Sequence, residues 1–318
     1  MTRNMQRVRV ARVDDVAAGI KRFELVGLAG QSLPMFSAGS HIVVTMRDKD
    51  QVWRNPYSIM GVTEDNNGYV ISVHSSPESR GGSRYMHTKV HVGCELDISE
   101  PVNLFPIVHT GRKHILIAGG IGITPMLAML DELKRDASIF ELHYAVRSPE
   151  AGAYFSDLMS ETGRSIRVYS SDRGERIPLA SILSNQPLGT HIYVCGPQRM
   201  IDWALEVANR AGWPEENVHC ERFSSAPPGK PFDVKLRDGT TVHVGEHQSM
   251  LEALEQAGVD APYLCRGGAC GQCVTRVIAS DSKLVHNDHY LTDEEKQAGE
   301  QIATCVSRAD GGCITLDL

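Results

Sequence analysis

Three cysteines fall within nine residues, in Cys265-Arg266-Gly267-Gly268-Ala269-Cys270-Gly271-Gln272-Cys273, and Cys305 follows 32 residues after the third. This C-x4-C-x2-C…C pattern constrains the chain more than any other feature, because a loop and a distant residue must converge on one group. It is the plant-type [2Fe–2S] spacing. Thiolates ligate iron and spread its charge, and Gly267, Gly268 and Gly271 let backbone N–H groups turn toward the sulfurs. A structural zinc site would use two C-x2-C or C-x2-H pairs, and this loop holds one such pair with a C-x4-C. Four unrelated buried cysteines are the other reading; spacing, glycines and the distant fourth cysteine all speak against it. Eight cysteines in 318 residues are too few for a disulfide scaffold. Cys94, Cys220 and Cys313 fit no pattern and read as small buried hydrophobes.

The remaining composition is that of a globular protein, 42% hydrophobic and 22% charged, long enough for two or three domains. Residues 115–130 form a 16-residue uncharged stretch with three glycines and a Thr-Pro break, short of the ~20 apolar residues of a membrane span. The first six residues hold no apolar signal-peptide core, so a cytoplasmic chain without membrane attachment is expected. A net charge of −7 speaks against nucleic acid as a partner. Residues 231–318 carry 7 Lys and Arg against 14 Asp and Glu, the whole of the excess, while residues 1–230 balance.

The stretch Ser224-Ser225-Ala226-Pro227-Pro228-Gly229-Lys230-Pro231 reads as a linker, and His109-Thr110-Gly111-Arg112 as a weaker boundary. The expected domains are therefore 1–109, 110–226 and 227–318. In the first, short alternating runs at 6–13, 20–28, 40–46, 69–73 and 95–99 predict an antiparallel barrel. In the second, strands at 114–118, 142–146, 166–169 and 191–195 alternate with helices, predicting a parallel α/β domain of the nucleotide-binding kind. Thr124 is expected as a helix N-cap and Pro125 as the first helical residue, with helix over 126–135. In the third, strands at 232–236 and 241–244, a helix at 249–257, a capping box at Thr292 and Glu295 and a closing strand at 314–318 surround the cysteine loop.

The turn Gly119-Gly120-Ile121-Gly122-Ile123-Thr124-Pro125 follows a buried strand and opens a helix, where backbone amides and the helix terminus favour a pyrophosphate. It is not a full G-x-G-x-x-G, and a tight strand-to-helix turn without a ligand is the alternative reading. Arg147-Ser148 and Cys195-Gly196-Pro197 end two further strands of that sheet, where ligands of open α/β sheets sit; a solvated arginine is the alternative for Arg147. Asp172 ends another and is suited to a ribose 2′-OH rather than a 2′-phosphate, although Arg173 adjoins it and an ordinary turn Asp remains the alternative. In the barrel segment, Ser79-Arg80-Gly81-Gly82-Ser83-Arg84 runs into a helix as an anion site with a hydroxyl cap, and Trp53-Arg54-Asn55-Pro56-Tyr57-Ser58 offers an aromatic and a hydroxyl at a strand end. Taken alone, these two stretches read rather as a β-turn and a capped helix.

Together with Glu221-Arg222-Phe223 and the cysteine set, these stretches resemble the phthalate dioxygenase reductase family over essentially the whole chain. The resemblance implies a multidomain fold: an antiparallel β-barrel flavin domain, an α/β parallel-sheet nucleotide domain and an α+β (β-grasp) plant-type ferredoxin domain. It implies FMN contacts at Tyr57, Ser58, Gly81, Gly82, Ser83 and Phe223, and NADH contacts at Gly120, Gly122, Thr124, Pro125, Arg147, Ser148, Asp172, Cys195, Gly196 and Pro197. The cluster ligands would be Cys265, Cys270, Cys273 and Cys305, with Thr124, Cys195 and Phe223 near the meeting point of flavin and nicotinamide. Two positions depart from the family pattern. Its R-x-Y-S motif has Asn55 in the arginine's place with Arg54 one residue earlier, so either residue is a candidate for that role; and His74 stands where many relatives have lysine.

The implied activity carries electrons from NADH through FMN to the [2Fe–2S] cluster and, singly, to a Rieske non-haem iron oxygenase. No covalent catalyst or general base is required for hydride transfer, so the residues named are contacts. The acidic third domain is expected to steer docking to a basic patch on that partner, or to be merely a soluble surface. A stand-alone NADH:acceptor flavin reductase or diaphorase is the alternative activity, and an iron–sulfur binding module with a degenerate nucleotide domain the non-enzyme one.

Overall fold

The computed structural model describes residues 5–28, 31–49, 51–76, 79–161 and 165–318. The first unit comprises β1 (Gln6–Ala17), β2 (Ile20–Gly27), β3 (Ser40–Asp48), β4 (Gln51–Val62), β5 (Gly68–His74), α1 (Gly82–Thr88), β6 (Glu95–Ile98) and β7 (Val102–Asn103). Its strands follow the order β4-β5-β2-β1-β6-β3, and β3 also pairs with β4, which closes a six-stranded barrel with β7 appended to β3. All these pairings are antiparallel. Alternation supplies the filling on β1, where Val8 and Val10 are fully buried between exposed Arg7 and Arg9, whereas β3 is buried on both faces from Ser40 to Met46, with Ile42, Val44 and Met46 fully buried.

The second unit comprises β8 (Lys113–Gly119), α2 (Ile123–Arg135), β9 (Phe140–Val146), α3 (Phe155–Ser160), β10 (Ile166–Ser170), α4 (Leu179–Leu183), β11 (Thr190–Cys195), α5 (Gln198–Arg210) and β12 (Val218–Glu221). The five strands are parallel in the order β10-β9-β8-β11-β12. Ile115, Leu116, Ile117 and Ala118 are fully buried, as a strand covered on both faces requires. One covering layer contains α2 and α3, the other α4 and α5. The order reverses between β8 and β11, so their carboxyl ends flank the switch-point crevice where such sheets take ligands.

The third unit comprises β13 (Phe232–Lys235), β14 (Thr241–Val244), α6 (Met250–Gln256), β15 (Val274–Ser280), β16 (Leu284–Val285), α7 (Asp293–Ala298), β17 (Gln301–Ala303), β18 (Arg308–Ala309) and β19 (Cys313–Leu316). Its mixed sheet, β14-β13-β19-β15-β17, is the β-grasp arrangement, with β13 parallel to β19. The capping box at Thr292 is present with both hydrogen bonds. Among the described residues no helix is long and apolar enough to cross a membrane.

Several local expectations differ from the structure. Residues 51–62 form one continuous strand, so Tyr57 and Ser58 lie in its body and not at an end. Pro56 is tolerated because residues 51–58 of β4 pair with β3 alone, leaving the other edge open for a residue without an N–H. Helix α2 starts at Ile123 with Gly122 as its cap; Thr124 sits in the first turn, where its hydroxyl donates to the Ile121 carbonyl at 3.0 Å. The cap of α1 is Gly81, with no side-chain hydrogen bond. Cys94 and Cys313 are half-buried and Cys220 is exposed, because alternation on the edge strand β12 turns Cys220 outward.

Candidate functional site

Four of the five cysteines of the third unit converge, Cys313 on β19 being the exception. Cys265, Cys273 and Cys305 are buried and Cys270 is half-buried. The Cys273 and Cys305 sulfurs lie 3.1 Å apart, and Cys265 and Cys270 form a second hydrogen-bonded pair. No three metal-ligating side chains among the described residues close on a single ion. Two thiol pairs, joined by one loop, are the donor set of a two-iron cluster and not of one tetrahedral zinc. The Cys270 thiol, then the amides of Gly267, Ala269 and Cys270, hold Cys265 well below the usual thiol range, at about 5. Gly267 makes an amide-to-sulfur contact here and Gly268 makes one to Cys305, while Ala269 and Cys270 also donate to Cys265. Gly271 adopts φ +73°, and a Cβ there would stand 2.3 Å from the Tyr290 ring, so the loop is closed over by that tyrosine.

The crevice at the switch point is built from the turn after β8 and the turn after β11. A Cβ on Gly122 would lie 2.3 Å from the Cys195 carbonyl oxygen, so the two turns approach as only glycine permits. Gly120 has φ +54° and no heavy atom within 4 Å of its would-be Cβ, leaving open space before the amides of the turn. Thr124, Pro125 and Cys195 are buried beneath this space, while Gly196 and Pro197 line its rim. Burial, then Glu221, pushes the Cys195 thiol well above its ordinary range, so it stays neutral. Further along the same edge, Arg147 is exposed and Ser148 half-buried, and the exposed Asp172 donates its amide to the Arg147 carbonyl at 3.0 Å. The Asp172 carboxylate accepts from Ser170 Oγ at 2.5 Å, which fixes its direction.

The barrel offers a gap facing that crevice. Strands β4 and β5 pair only where 59–62 meets 69–71 and then part, with Tyr57 and Ser58 on one side and the end of β5, including exposed His74, on the other. Ser72 of β5 shares a 2.7 Å hydrogen bond with Tyr154 of the second unit. Ser58 Oγ is buried without a partner. Tyr57 is half-buried, and burial pushes its phenol up to about 12 despite the Asn55 amide donating to it at 3.2 Å. Beside it, a Cβ on Gly82 would stand 2.6 Å from Asn55 Nδ2. Ser83 Oγ donates to Ser79 Oγ at 2.8 Å, and the Trp53 indole holds the Arg80 carbonyl at 3.1 Å. An orphaned hydroxyl, an aromatic face, an open strand edge and a glycine-serine loop opening a helix suit a flavin mononucleotide.

Alternation along β4 puts Asn55 on the Tyr57 side and Arg54 on the other. Arg54 reaches Glu255 of α6 at 3.0 Å. Arg80, just before the glycine pair, is tied to Glu252 at 2.5 Å. Phe223 is half-exposed after β12. Sequence reading did not single out the side chain of Glu221. Burial raises it to about 8, and its Oε2 is enclosed without a partner near Cys195. No periodicity announces it; its only signal was membership of the Glu221-Arg222-Phe223 stretch.

Residues 234–310 match the family model of the 2Fe-2S iron-sulfur cluster binding domain. Residues 99–218 match that of the N-terminal domain of the dimethylamine monooxygenase subunit DmmA-like family. The chain is 42% identical over 312 residues to a carnitine monooxygenase reductase subunit of Acinetobacter baumannii, covering 97% of this chain and 96% of the relative. It is 44% identical over 312 residues to the beta subunit of a heme-dependent oxidative N-demethylase of Ectopseudomonas mendocina, covering 98% of each. Its structure is similar to that of a phthalate dioxygenase reductase, described as modular for electron transfer from pyridine nucleotides to [2Fe-2S]. The TM-score is 0.88 at 34% identity, over 99% of this chain and 98% of the other.

Proposed function

The chain belongs to the phthalate dioxygenase reductase family, and from that premise we propose that it draws electrons from NADH through FMN into a [2Fe–2S] cluster and hands them singly to a Rieske-type oxygenase. It is an oxidoreductase, the reductase component of an oxygenase system. The observation that carries the fuller reading is one chain holding two thiol pairs, a switch-point crevice and a barrel gap that opens onto it. Bound flavin supplies the exchange between a two-electron donor and a one-electron carrier.

The chain's own residues bind and orient. Tyr57 offers a face for the flavin ring and Ser58 Oγ a free hydrogen-bonding group for its edge. Gly81, Gly82 and Ser83 offer amides to its phosphate, with Asn55 beside them, and His74 at the far side of the gap. Gly120, Gly122, Thr124 and Pro125 form the turn for the dinucleotide phosphates, and Arg147, Ser148 and Asp172 take the adenosine ribose. Cys195, Gly196 and Pro197, with Phe223, flank the place of the nicotinamide. Neutral Cys195 and protonated Glu221 keep fixed charge away from it. Cys265, Cys270, Cys273 and Cys305 hold the iron. The units correspond to 1–109, 110–226 and 227–318, acting in the cytoplasm.

The acids of α7 and Glu300 are exposed beside Tyr290, which covers the cysteine loop, and this supports an acidic docking face. A second reading keeps the relay and changes the acceptor to a haem-dependent oxygenase; the N-demethylase relative favours it. The experiment presents the NADH-reduced chain in turn to a purified Rieske oxygenase component and a purified haem N-demethylase component. Rapid reduction of the Rieske centre alone supports the first reading, and of the haem alone the second. NADH-driven reduction of small acceptors with neither partner reduced returns the chain to a diaphorase.

A further inference from the structure

Two arginines of the barrel unit grip two glutamates one helical turn apart on α6 of the cluster unit. Arg80 Nη1 donates to Glu252 Oε2 at 2.5 Å and to the His247 carbonyl at 3.4 Å. Arg54 Nη1 donates to Glu255 Oε2 at 3.0 Å. The second oxygen of Glu255 accepts from Arg266 Nη2. Arg266 follows the ligand position Cys265, has φ +55°, is buried, and stacks 4.0 Å over the Tyr263 ring. One carboxylate therefore joins a barrel strand to the cysteine loop. Neither arginine can take a neutral form, so each must keep an acid partner or be exposed to water.

We propose that Glu255 is a positioning residue for electron transfer: by joining Arg54 of β4 to Arg266 of the cysteine loop, it fixes how the cluster unit seats against the flavin barrel. The proposal rests on the relay described above. The Arg54 arm sets the seat, and the Arg266 arm holds a buried cation beside the cluster. Glu252 and Arg80 form a second pair that stops rotation about the first. Both pairs have at most a quarter of either side chain exposed, so salt screens them little. Arg266 also keeps its loop conformation through this pair, because a non-glycine residue at positive φ needs outside support.

The test uses the full holoprotein and the variants Glu255→Gln and Arg54→Gln. Four quantities are read: NADH reduction of the flavin, flavin-to-cluster transfer by stopped flow, the cluster midpoint potential, and the radius of gyration by small-angle scattering. In Glu255→Gln, flavin reduction stays as in wild type, transfer falls about tenfold or more, the midpoint moves positive, and the molecule expands. Arg54→Gln slows transfer and expands the molecule without the positive midpoint shift, because the Arg266 arm survives. Arg54→Lys, which keeps the charge, recovers most of the transfer rate. A Glu255→Gln protein with wild-type transfer rate, midpoint and radius overturns the proposal. Should Glu255→Gln not fold, Arg54→Gln with wild-type transfer rate and radius overturns it equally. A wild type that never passes electrons to its cluster instead overturns the relay, and the midpoint and scattering comparisons still test the seat.

Discussion

The barrel meets its two neighbours in opposite ways. Against the nucleotide unit it contributes Ile20, Ala38, Phe105 and Ile107 to the same buried cluster as Leu116, Met129, Tyr144 and Tyr193. Phe105 packs edge-on to Tyr193 at 5.9 Å, and Tyr193 in turn accepts the Val108 amide at 2.9 Å. Against the cluster unit the link is made by Arg54, Arg80, Glu252 and Glu255, and the buried apolar cluster there draws only on residues from Phe232 onward. The first joint is a shared core, held by non-directional burial. The second is a clasp, held by a few directed pairs and a Pro-rich linker. A shared core suits two units that must keep flavin and nicotinamide in fixed register. A clasp suits a unit whose exposed side must also present itself to an outside acceptor.

The sharpest way to break this comparison is Phe105→Ala. Truncating a fully buried phenylalanine costs ~3–5 kcal/mol, and here it should lower the denaturant midpoint of barrel and nucleotide unit together; a loss confined to one of them would mean that the core is not shared. Next in size is the pH dependence of Glu221. This carboxyl ionises near 4.5 when unfolded and keeps its proton to about 8 when folded. The folded chain thus binds the extra proton between those values, and stability is full below 4.5 and declines as pH rises toward 8. Glu221→Gln should flatten that slope and exceed wild type in stability at pH 8 by at least ~1 kcal/mol, one pKa unit being worth about 1.4. Equal pH–stability curves would show that water reaches the carboxylate.

Asp172→Ala separates nucleotide choice from both joints. It should lower the NADH over NADPH preference in kcat/KM by about tenfold and leave the unfolding midpoint and scattering radius unchanged. The smallest effect on stability belongs to Arg80→Gln. Opening the clasp lets Glu252 regain water, so the cost falls on the joint and the unfolding midpoint of the barrel should stay in place, while protease cleavage in the 224–231 linker speeds up. A multi-kcal/mol loss without faster cleavage would make this joint a core after all.

The sequence was most legible where chemistry demands a spacing. The cysteine loop 265–273, the capping box at Thr292 and the glycine turn after β8 each depend on residues near one another in the chain; the capping box formed as expected, and the glycine turn opens a helix that starts at Ile123. It was less legible along β4, where Asn55 and Pro56 interrupt the strand pattern and only the one-sided pairing explains their presence. Thr124 looked like a cap because the 3₁₀ turn of Gly120–Gly122 that displaces it depends on the approach of Cys195 from another strand. Least legible were the destinations of Arg54 and Arg80. Their partners lie 201 and 172 residues away, and no local pattern encodes a contact of that range. Glu221 shares this limit, since only the folded sheet encloses it.

The relay requires one chain to convert a pyridine nucleotide's electron pair into single electrons at its cluster. An anaerobic NADH titration of the purified holoprotein, followed across the flavin and iron–sulfur absorbance bands, tests it most directly. Both bands should bleach, and uptake should end at about three electrons per chain, two for a flavin and one for a [2Fe–2S] centre. Bleaching of the flavin alone, with the cluster present but still oxidised, would contradict it.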